Sequence, residues 1–207
     1  MIAILGGTFD PVHNGHILIA SKIYHRFGCT QLQFMPCGNP VHRIPPRASS
    51  AHRCAMIEKA ISDNRDFRLN RLEVDTNKPS FSVDSIRQIC RDSDSAVMLI
   101  LGSDAFNGFA SWKQPEKILQ MANIVVCHRP GVAVDDSLYS AHRVSTDDEF
   151  LQHDSGAIYS LEVDANPCAS SIIRDQVKKG IFSDHCLSPA VVDYIQQNKL
   201  YGNSVDS

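Results

Sequence analysis

Short apolar runs alternate with helix-patterned stretches along this chain, and that alternation restricts its fold more than any other feature. Residues 2–5 (IAIL) suit a buried strand. The next stretch carries Ile17, Ala20, Ile23, Tyr24 and Phe27 at helical spacing and stops at Gly28, a C-cap residue. Residues 32–35 read as a second strand, ended by Pro36. After a proline-rich loop, Ser49 or Ser50 is placed to cap a helix bearing Cys54, Ile57 and Ile61. Residues 67–74 alternate as a strand, and Ser82 is placed to cap a helix with Ile86 and Ile89. Residues 96–101 (AVMLIL) form the most hydrophobic run and suit a central strand. Pro115 opens a short helix with Ile118, Leu119 and Met121, and residues 124–127 and 157–163 supply two further strands. Helices are expected from Ser170 or Ser171 through Val177, stopped near Gly180, and over residues 189–197. Residues 132–155 are polar and weakly periodic, which predicts an irregular excursion.

Strand–helix alternation of this kind specifies an α/β, Rossmann-like, doubly wound and mostly parallel sheet with helices on both faces. The 207 residues fit a single domain over 1–201, with 202–207 expected as a flexible tail. That length buries a core without disulfides or a structural metal. The formal net charge of −3 argues against binding a nucleic-acid backbone, which needs a strong basic field. Seven cysteines lie scattered with no CxxC pair, a pattern read as small buried hydrophobes in a reducing compartment rather than a disulfide framework. No secretory leader and no apolar run near membrane-spanning length is present, so a soluble cytoplasmic protein with no membrane partner is expected.

In such sheets, ligands bind beyond the carboxyl ends of the strands, and the unusual clusters of this chain fall there. Residues 6–17 read GGTFDPVHNGHI: two glycines leave the first strand, and His13 and His16 stand three apart at the start of a helix. This is neither a GxxxxGK[ST] nor a GxGxxG loop. Glycine backbone allows close approach of a ligand, and the helix start attracts an anion. Two imidazole donors on one helix face there suit phosphates, with packed side chains as the bland alternative. A zinc pair is the weaker rival, because only Asp10 stands near enough to be a third ligand.

The motif GGTFDPVHNGH resembles the first signature of the HxGH nucleotidylyltransferase superfamily, and Ser170-Ser171-Ile172-Ile173-Arg174 resembles its second. Between them, Pro79-Ser80-Phe81-Ser82, Gly102-Ser103-Asp104-Ala105, Ser111-Trp112 and Arg129-Pro130-Gly131 resemble, in order, elements of bacterial nicotinate mononucleotide adenylyltransferases. Residues 36–43, ending in His42-Arg43, are similar to a loop of the same family. The resemblance covers residues 1 to about 201.

It implies adenylyl transfer from ATP to nicotinate mononucleotide in NAD biosynthesis, with pyrophosphate released and no covalent enzyme intermediate. His13, His16 and Arg174 are then the catalytic set, with Arg174 on the β- and γ-phosphates. Gly6, Gly7, Thr8, Phe9 and Ser171 fall on the ATP side. Ser82, Val83, Gly102, Asp104, Trp112, Lys113 and Arg129 fall on the acceptor side, with Trp112 stacked on the pyridine ring. Mg²⁺ is implied as a passenger of the ATP, with no protein metal ligand. Asp104 has a plainer reading as a helix cap, and Arg53 as either a phosphate contact or a solvated surface charge. Three positions depart from the family pattern: Cys37-Gly38 replaces an asparagine-containing pair, Ala169 replaces a serine, and Lys113 replaces an aromatic residue. The rival readings are pantetheine-phosphate adenylyltransferase, which shares the histidine signature, and a non-catalytic nucleotide sensor.

Overall fold

The computed structural model describes residues 1–38, 45–76, 79–135, 137–164 and 166–202. The expectations for His42-Arg43 and for most of the C-terminal tail lie outside them. Among the described residues, strands β1 (Ile2–Gly7), β2 (Gln31–Pro36), β3 (Phe67–Leu69), β4 (Val97–Gly102), β5 (Ala122–His128), β6 (Arg143–Val144) and β7 (Ile158–Glu162) form one sheet. Its order is β3-β2-β1-β4-β5-β7-β6, and every pairing is parallel. Order reverses between β1 and β4, which pair side by side, Leu5 against Ile100. That is the switch point where a crevice opens beyond the strand ends.

Side chains alternate across the sheet, as the period of a strand requires. Ala3, Leu5, Met98, Ile100, Val125 and Cys127 enter one core. Helices α1 (Asn14–Arg26), α2 (Ser50–Ile61), α7 (Ser170–Lys178) and α8 (Pro189–Gln197) cover it through Ile23, Ile57, Ile173 and Ile195. Ile4, Leu99, Leu101, Ile124 and Val126 enter the opposite core. There α3 (Ser82–Asp92), α4 (Ser103–Asn107) and α5 (Pro115–Leu119) contribute Ile86, Phe106 and Ile118. Both faces are thus covered, and β4 is central and buried along all but its last residue.

Four local expectations are corrected. The strand expected over 67–74 ends at Leu69, because Asn70 turns the chain. Its amide donates to Gln33 Oε1 (2.7 Å), and its side-chain oxygen accepts from the Leu72 N–H (2.9 Å). Ser82 does not cap α3 but begins it, after an extended Phe81. The excursion at 132–155 carries the edge strand β6 and a short helix, α6 (Asp147–Leu151), capped by Thr146 and anchored by fully buried Phe150. Finally, the cysteines are not all free thiols: Cys168 and Cys186 form a disulfide. No helix among the described residues is long and apolar enough to cross a membrane.

Candidate active site

Beyond the ends of β1 and β4 lie two cavities that share Gly6, Leu101, Asp104 and Ala105. The larger, about 880 Å³, is lined by His13, Gly15, His16, Gly102, Arg129 and the start of α7 at Ala169-Ser170. The other, about 670 Å³, is lined by Gly7, Glu73, Ser80, Phe81, Ser82, Trp112 and Lys113. Gly6 stands where they join, and a Cβ there would meet no atom within 4 Å. Its missing side chain leaves that passage open.

The histidines owe their placement to the turn that leaves β1. Phe9 takes a left-handed backbone (φ 51°), which turns its ring into the core, 1% exposed. The ring meets His16 edge-on at 4.9 Å. His13 is the extended residue before α1, and its N–H donates to His16 Nδ1 at 3.2 Å. This bond makes His16 Nδ1 an acceptor and leaves the proton of the neutral ring on Nε2. The two rings stack at 3.7 Å. Burial, partly opposed by a backbone hydrogen bond and helped by the Arg129 guanidinium, lowers the His13 pKa to about 4. Burial, then the neighbouring His13, holds His16 well below its ordinary value. At neutral pH both rings are therefore uncharged N–H donors. His13 Nδ1 is buried without a hydrogen-bond partner.

Asp10 ties four segments together behind the histidines. Its carboxylate accepts from the N–H groups of Arg47 (2.8 Å) and Ala48 (3.1 Å) and from the Tyr201 hydroxyl (2.8 Å). Arg174 donates to the Asp10 carbonyl at 2.6 Å, with the carboxylate 3.8 Å away. Arg174 is thus brought to the histidine turn but is absent from the cavity lining. Ser170 Oγ donates to the Pro11 carbonyl (3.0 Å), joining the two signature segments directly. Ser170 lines the cavity, whereas Ser171 is exposed beside it. Ala169 precedes α7 in extended conformation and provides no side-chain cap, so the first-turn N–H groups keep no side-chain partner from that position.

Around the smaller cavity, partly exposed Trp112 rests edge-on against Phe109 at 5.4 Å. Lys113 Nζ lies 3.0 Å from Asp84 Oδ2 and 4.2 Å from the Phe81 ring centre. Lys113, then Arg87, draws the Asp84 pKa down. Asp104 is exposed in the first turn of α4, where a capping role and a ligand role are both open to it. Not every expected acceptor residue is here. Gly102 and Arg129 line the histidine cavity instead, and the Val83 side chain is fully buried in the core. Thr8 and Phe9 lie below the histidines and line neither cavity.

Arg53 is corrected most clearly. Neither solvated nor in a cavity, it is 1% exposed and donates to the carbonyls of Thr8 and Cys37, each at 2.8 Å. It clamps the loops that leave β1 and β2. A signal existed, since Arg53 shares a helix stripe with Ile57 and Ile61. Glu73 was missed altogether. It is buried, accepts from Ser85 Oγ at 2.9 Å and lines the smaller cavity. Burial raises its pKa, opposed by bonds from Ser85, Ser80 and Gly38. It lies past the end of β3 in a segment expected to be strand, and nothing local marked it.

The cytidylyltransferase-like family matches residues 4–176 of this chain. A probable nicotinate-nucleotide adenylyltransferase of Hydrogenovibrio crunogenus is 33% identical over 207 residues, 97% of each chain. Its counterpart in Methylococcus capsulatus is 34% identical over 97% of this chain and 99% of its own. Among solved structures, the Plasmodium falciparum nicotinic acid mononucleotide adenylyltransferase complexed with NaAD superposes with a TM-score of 0.74 at 20% identity. The match covers 97% of this chain and 96% of that one, a likeness of fold. The full-length relatives at a third identity and the two signature segments joined across one crevice agree: the chain belongs to the cytidylyltransferase-like family and, within it, to the nicotinate-nucleotide adenylyltransferases.

Proposed function

We propose that this chain transfers the adenylyl group of ATP to nicotinate mononucleotide, giving nicotinate adenine dinucleotide and pyrophosphate. The observation that carries this reading is the pair of cavities that meet at Gly6 and Asp104, one holding two uncharged imidazoles and the other an aromatic–cationic rim. Two substrates placed there present their phosphates to each other at the junction. An oxygen of the mononucleotide phosphate attacks the α-phosphorus of ATP as the bond to the β-phosphate oxygen breaks. Positioning and charge dispersal supply the catalysis, with no protein nucleophile.

Each residue then has a task. His16 Nε2–H donates to an α-phosphate oxygen, a bond that strengthens as charge builds there. His13 donates beside it. Both must stay neutral, since two stacked imidazolium rings would repel, and burial keeps them so. The first-turn N–H groups of α7, with Ser170 and Ser171, receive the outer phosphates. Arg174 reaches them by leaving the Asp10 carbonyl, and its charge follows the departing pyrophosphate. Arg129, at the mouth of the same cavity, adds a second cation. Gly6 leaves room for the phosphates above Thr8 and Phe9, Gly7 gives its side-chain space to the Phe9 ring and offers its backbone to the ligand, and Gly102 borders the ribose side. On the acceptor side, Trp112 stacks on the pyridine ring, and Asp104 holds a ribose hydroxyl. Ser82 and Val83 N–H groups with Lys113 meet the nicotinate carboxylate.

The donor set suits a magnesium ion brought by the nucleotide. Among the described residues no three His, Cys, Asp or Glu side chains form a metal cluster, and magnesium is commonly held by phosphates with one or two carboxylates at most. Bound that way, Mg²⁺ would neutralise triphosphate charge, and Asp104 is the carboxylate that lines both cavities. The setting fits a cytoplasmic enzyme of NAD biosynthesis.

The test is pyrophosphate release from ATP with nicotinate mononucleotide, nicotinamide mononucleotide or phosphopantetheine as acceptor. Turnover with the first, and a fall of about 10²–10³-fold in kcat for His16→Ala with the fold retained, is expected. Turnover with phosphopantetheine alone, or ATP binding without turnover, would overturn the assignment.

A further inference from the structure

Of the seven cysteines, five are free thiols and one pair is joined. Cys29 and Cys127 are buried, and burial pushes their thiols up to about 11 and about 12, which keeps them protonated and inert. The joined pair, Cys168 and Cys186, is placed differently. Their Cα atoms lie 5.3 Å apart across 18 residues of sequence, within the span of a disulfide. Cys168 lines the histidine cavity and immediately precedes Ala169 at the start of α7. Cys186 holds the other wall: its carbonyl accepts from the Asn14 N–H at 2.8 Å. The carbonyl of His185 accepts from the Asn14 side chain at 2.9 Å. Asn14 stands between His13 and Gly15, at the first position of α1. One covalent bond, continued by the two hydrogen bonds of Asn14, therefore links the two helix starts between which the triphosphate is read to sit.

We propose that Cys168 and Cys186 form a reversible thiol–disulfide site, oxidised by low-molecular-weight disulfides, whose state sets the affinity of the histidine cavity for ATP. This rests on the assignment of that cavity to ATP. In the oxidation, the Cys168 thiolate, reached through the open cavity, attacks one sulfur of the small disulfide. A mixed disulfide forms and one small thiolate leaves. The Cys186 thiolate then attacks the Cys168 sulfur and expels the second. Two protein thiols become one disulfide, one small disulfide becomes two small thiols, and the two protons pass to the departing thiolates. With the bond formed, α7 and α1 are held at the spacing seen here, so ATP binds without having to order them. With it broken, only hydrogen bonds such as Ser170 to Pro11 and Asn14 to Cys186 hold the segments 166–170 and 183–188 to the α1 turn, so they sample a wider range of spacings and binding must first select the competent one.

Linkage makes the effect reciprocal: ATP shifts the dithiol–disulfide equilibrium toward the disulfide by the same factor by which oxidation tightens ATP binding. A factor of about ten is expected, near the lower end of the usual range for coupled sites. Because Cys168 faces the cavity, bound ATP also slows reduction of the disulfide.

The test uses the full chain, oxidised with glutathione disulfide or reduced with dithiothreitol, and titrated calorimetrically with ATP in the absence of acceptor. Differential alkylation and peptide mapping give the fraction joined at 168–186 across glutathione buffers, with and without ATP. Expected are a Kd about tenfold lower for the oxidised protein, an equal shift of the redox equilibrium by saturating ATP, and a Cys186→Ser variant that binds like the reduced protein. Equal Kd values in the two states, or no 168–186 linkage after oxidation, overturn the proposal. The wild-type comparison stands whether or not the variant folds. A parallel titration of His16→Ala separates the two readings. Weakened binding there with equal Kd values in the redox states refutes only the switch, whereas unchanged binding refutes the assignment of the cavity.

Discussion

Gly15→Ala adds one methyl group beside the histidines and separates their positioning from the stability of the fold. Gly15 is the second residue of α1 and buried, and its backbone is not in the left-handed region. Alanine is therefore allowed there, and in a helix it is favoured over glycine by about 1 kcal/mol. The added Cβ, however, would sit 3.0 Å from His13 Nδ1, 3.1 Å from its Cε1 and 3.2 Å from Asn166 Oδ1. Ordinary contact begins near 3.4 Å, so the His13 ring must yield by a few tenths of an ångström. It cannot yield freely, because the His16 ring is stacked on it at 3.7 Å. Crowding a packed site costs about 1–3 kcal/mol, which the helical gain partly offsets. The net change in stability is about 1 kcal/mol, a Tm shift of roughly 2–4 °C for a chain of this size. Misplacing a reacting group by 1 Å costs about 10²-fold in rate. A shift of a few tenths, levered along the ring, should thus lower kcat/KM by about 5- to 20-fold. Pyrophosphate release and thermal denaturation measure the two effects on one preparation. On a His13→Ala background the same methyl should cost little further, because the ring it displaces is gone and only the Asn166 Oδ1 contact remains. A kcat/KM within twofold of wild type, or an undiminished loss on that background, would refute the argument.

Other perturbations test neighbouring parts of the structure. The His13 pKa is about 4 in the fold against an ordinary 6.5. The unfolded chain therefore binds the extra proton first, and stability is lost as pH falls through that window. The loss is up to about 1.4 kcal/mol per pH unit, or about 3 kcal/mol in all. Urea unfolding between pH 7 and pH 4 should show a shallower decline in His13→Asn, and parallel declines would disprove the buried neutral ring. Trp112→Ala should raise the KM for nicotinate mononucleotide by the equivalent of about 1–3 kcal/mol, with little change in kcat. An unchanged KM would leave Trp112 a packing residue on Phe109. Gly38→Ala should destabilise by at least about 2 kcal/mol, because its Cβ would lie 2.1 Å from the Glu73 carbonyl oxygen, a backbone atom with nowhere to retreat. A normal Tm for that variant would contradict the close approach.

The order of the longer strands and helices, the central place of the run 96–101 and the two signature segments were legible in the sequence. Their cause is local: period-2 and period-3.6 patterns and turn residues write themselves into consecutive positions. His13 and His16 were legible as a pair because three residues along one helix face is a short-range fact. What the linear pattern did not determine were contacts between residues far apart. Asp10 meets Tyr201 across 191 positions, and Ser170 meets Pro11 across 159. Arg53 reads as an ordinary surface cation until the carbonyls of Thr8 and Cys37 close on it. Glu73, the resting place of Arg174 on Asp10 and the bond between Cys168 and Cys186 all depend on which strand ends the sheet order brings together. The short elements within 132–155 were invisible because a two-residue strand has no period, and pairing with β7 alone makes it one. The sequence by itself determined which groups with the chemistry of phosphate transfer this chain carries and on which elements they ride. Only the tertiary structure decided which of them face the crevice, which lie beneath it as supports, and that both histidines stay uncharged, because burial and long-range pairing belong to no single segment.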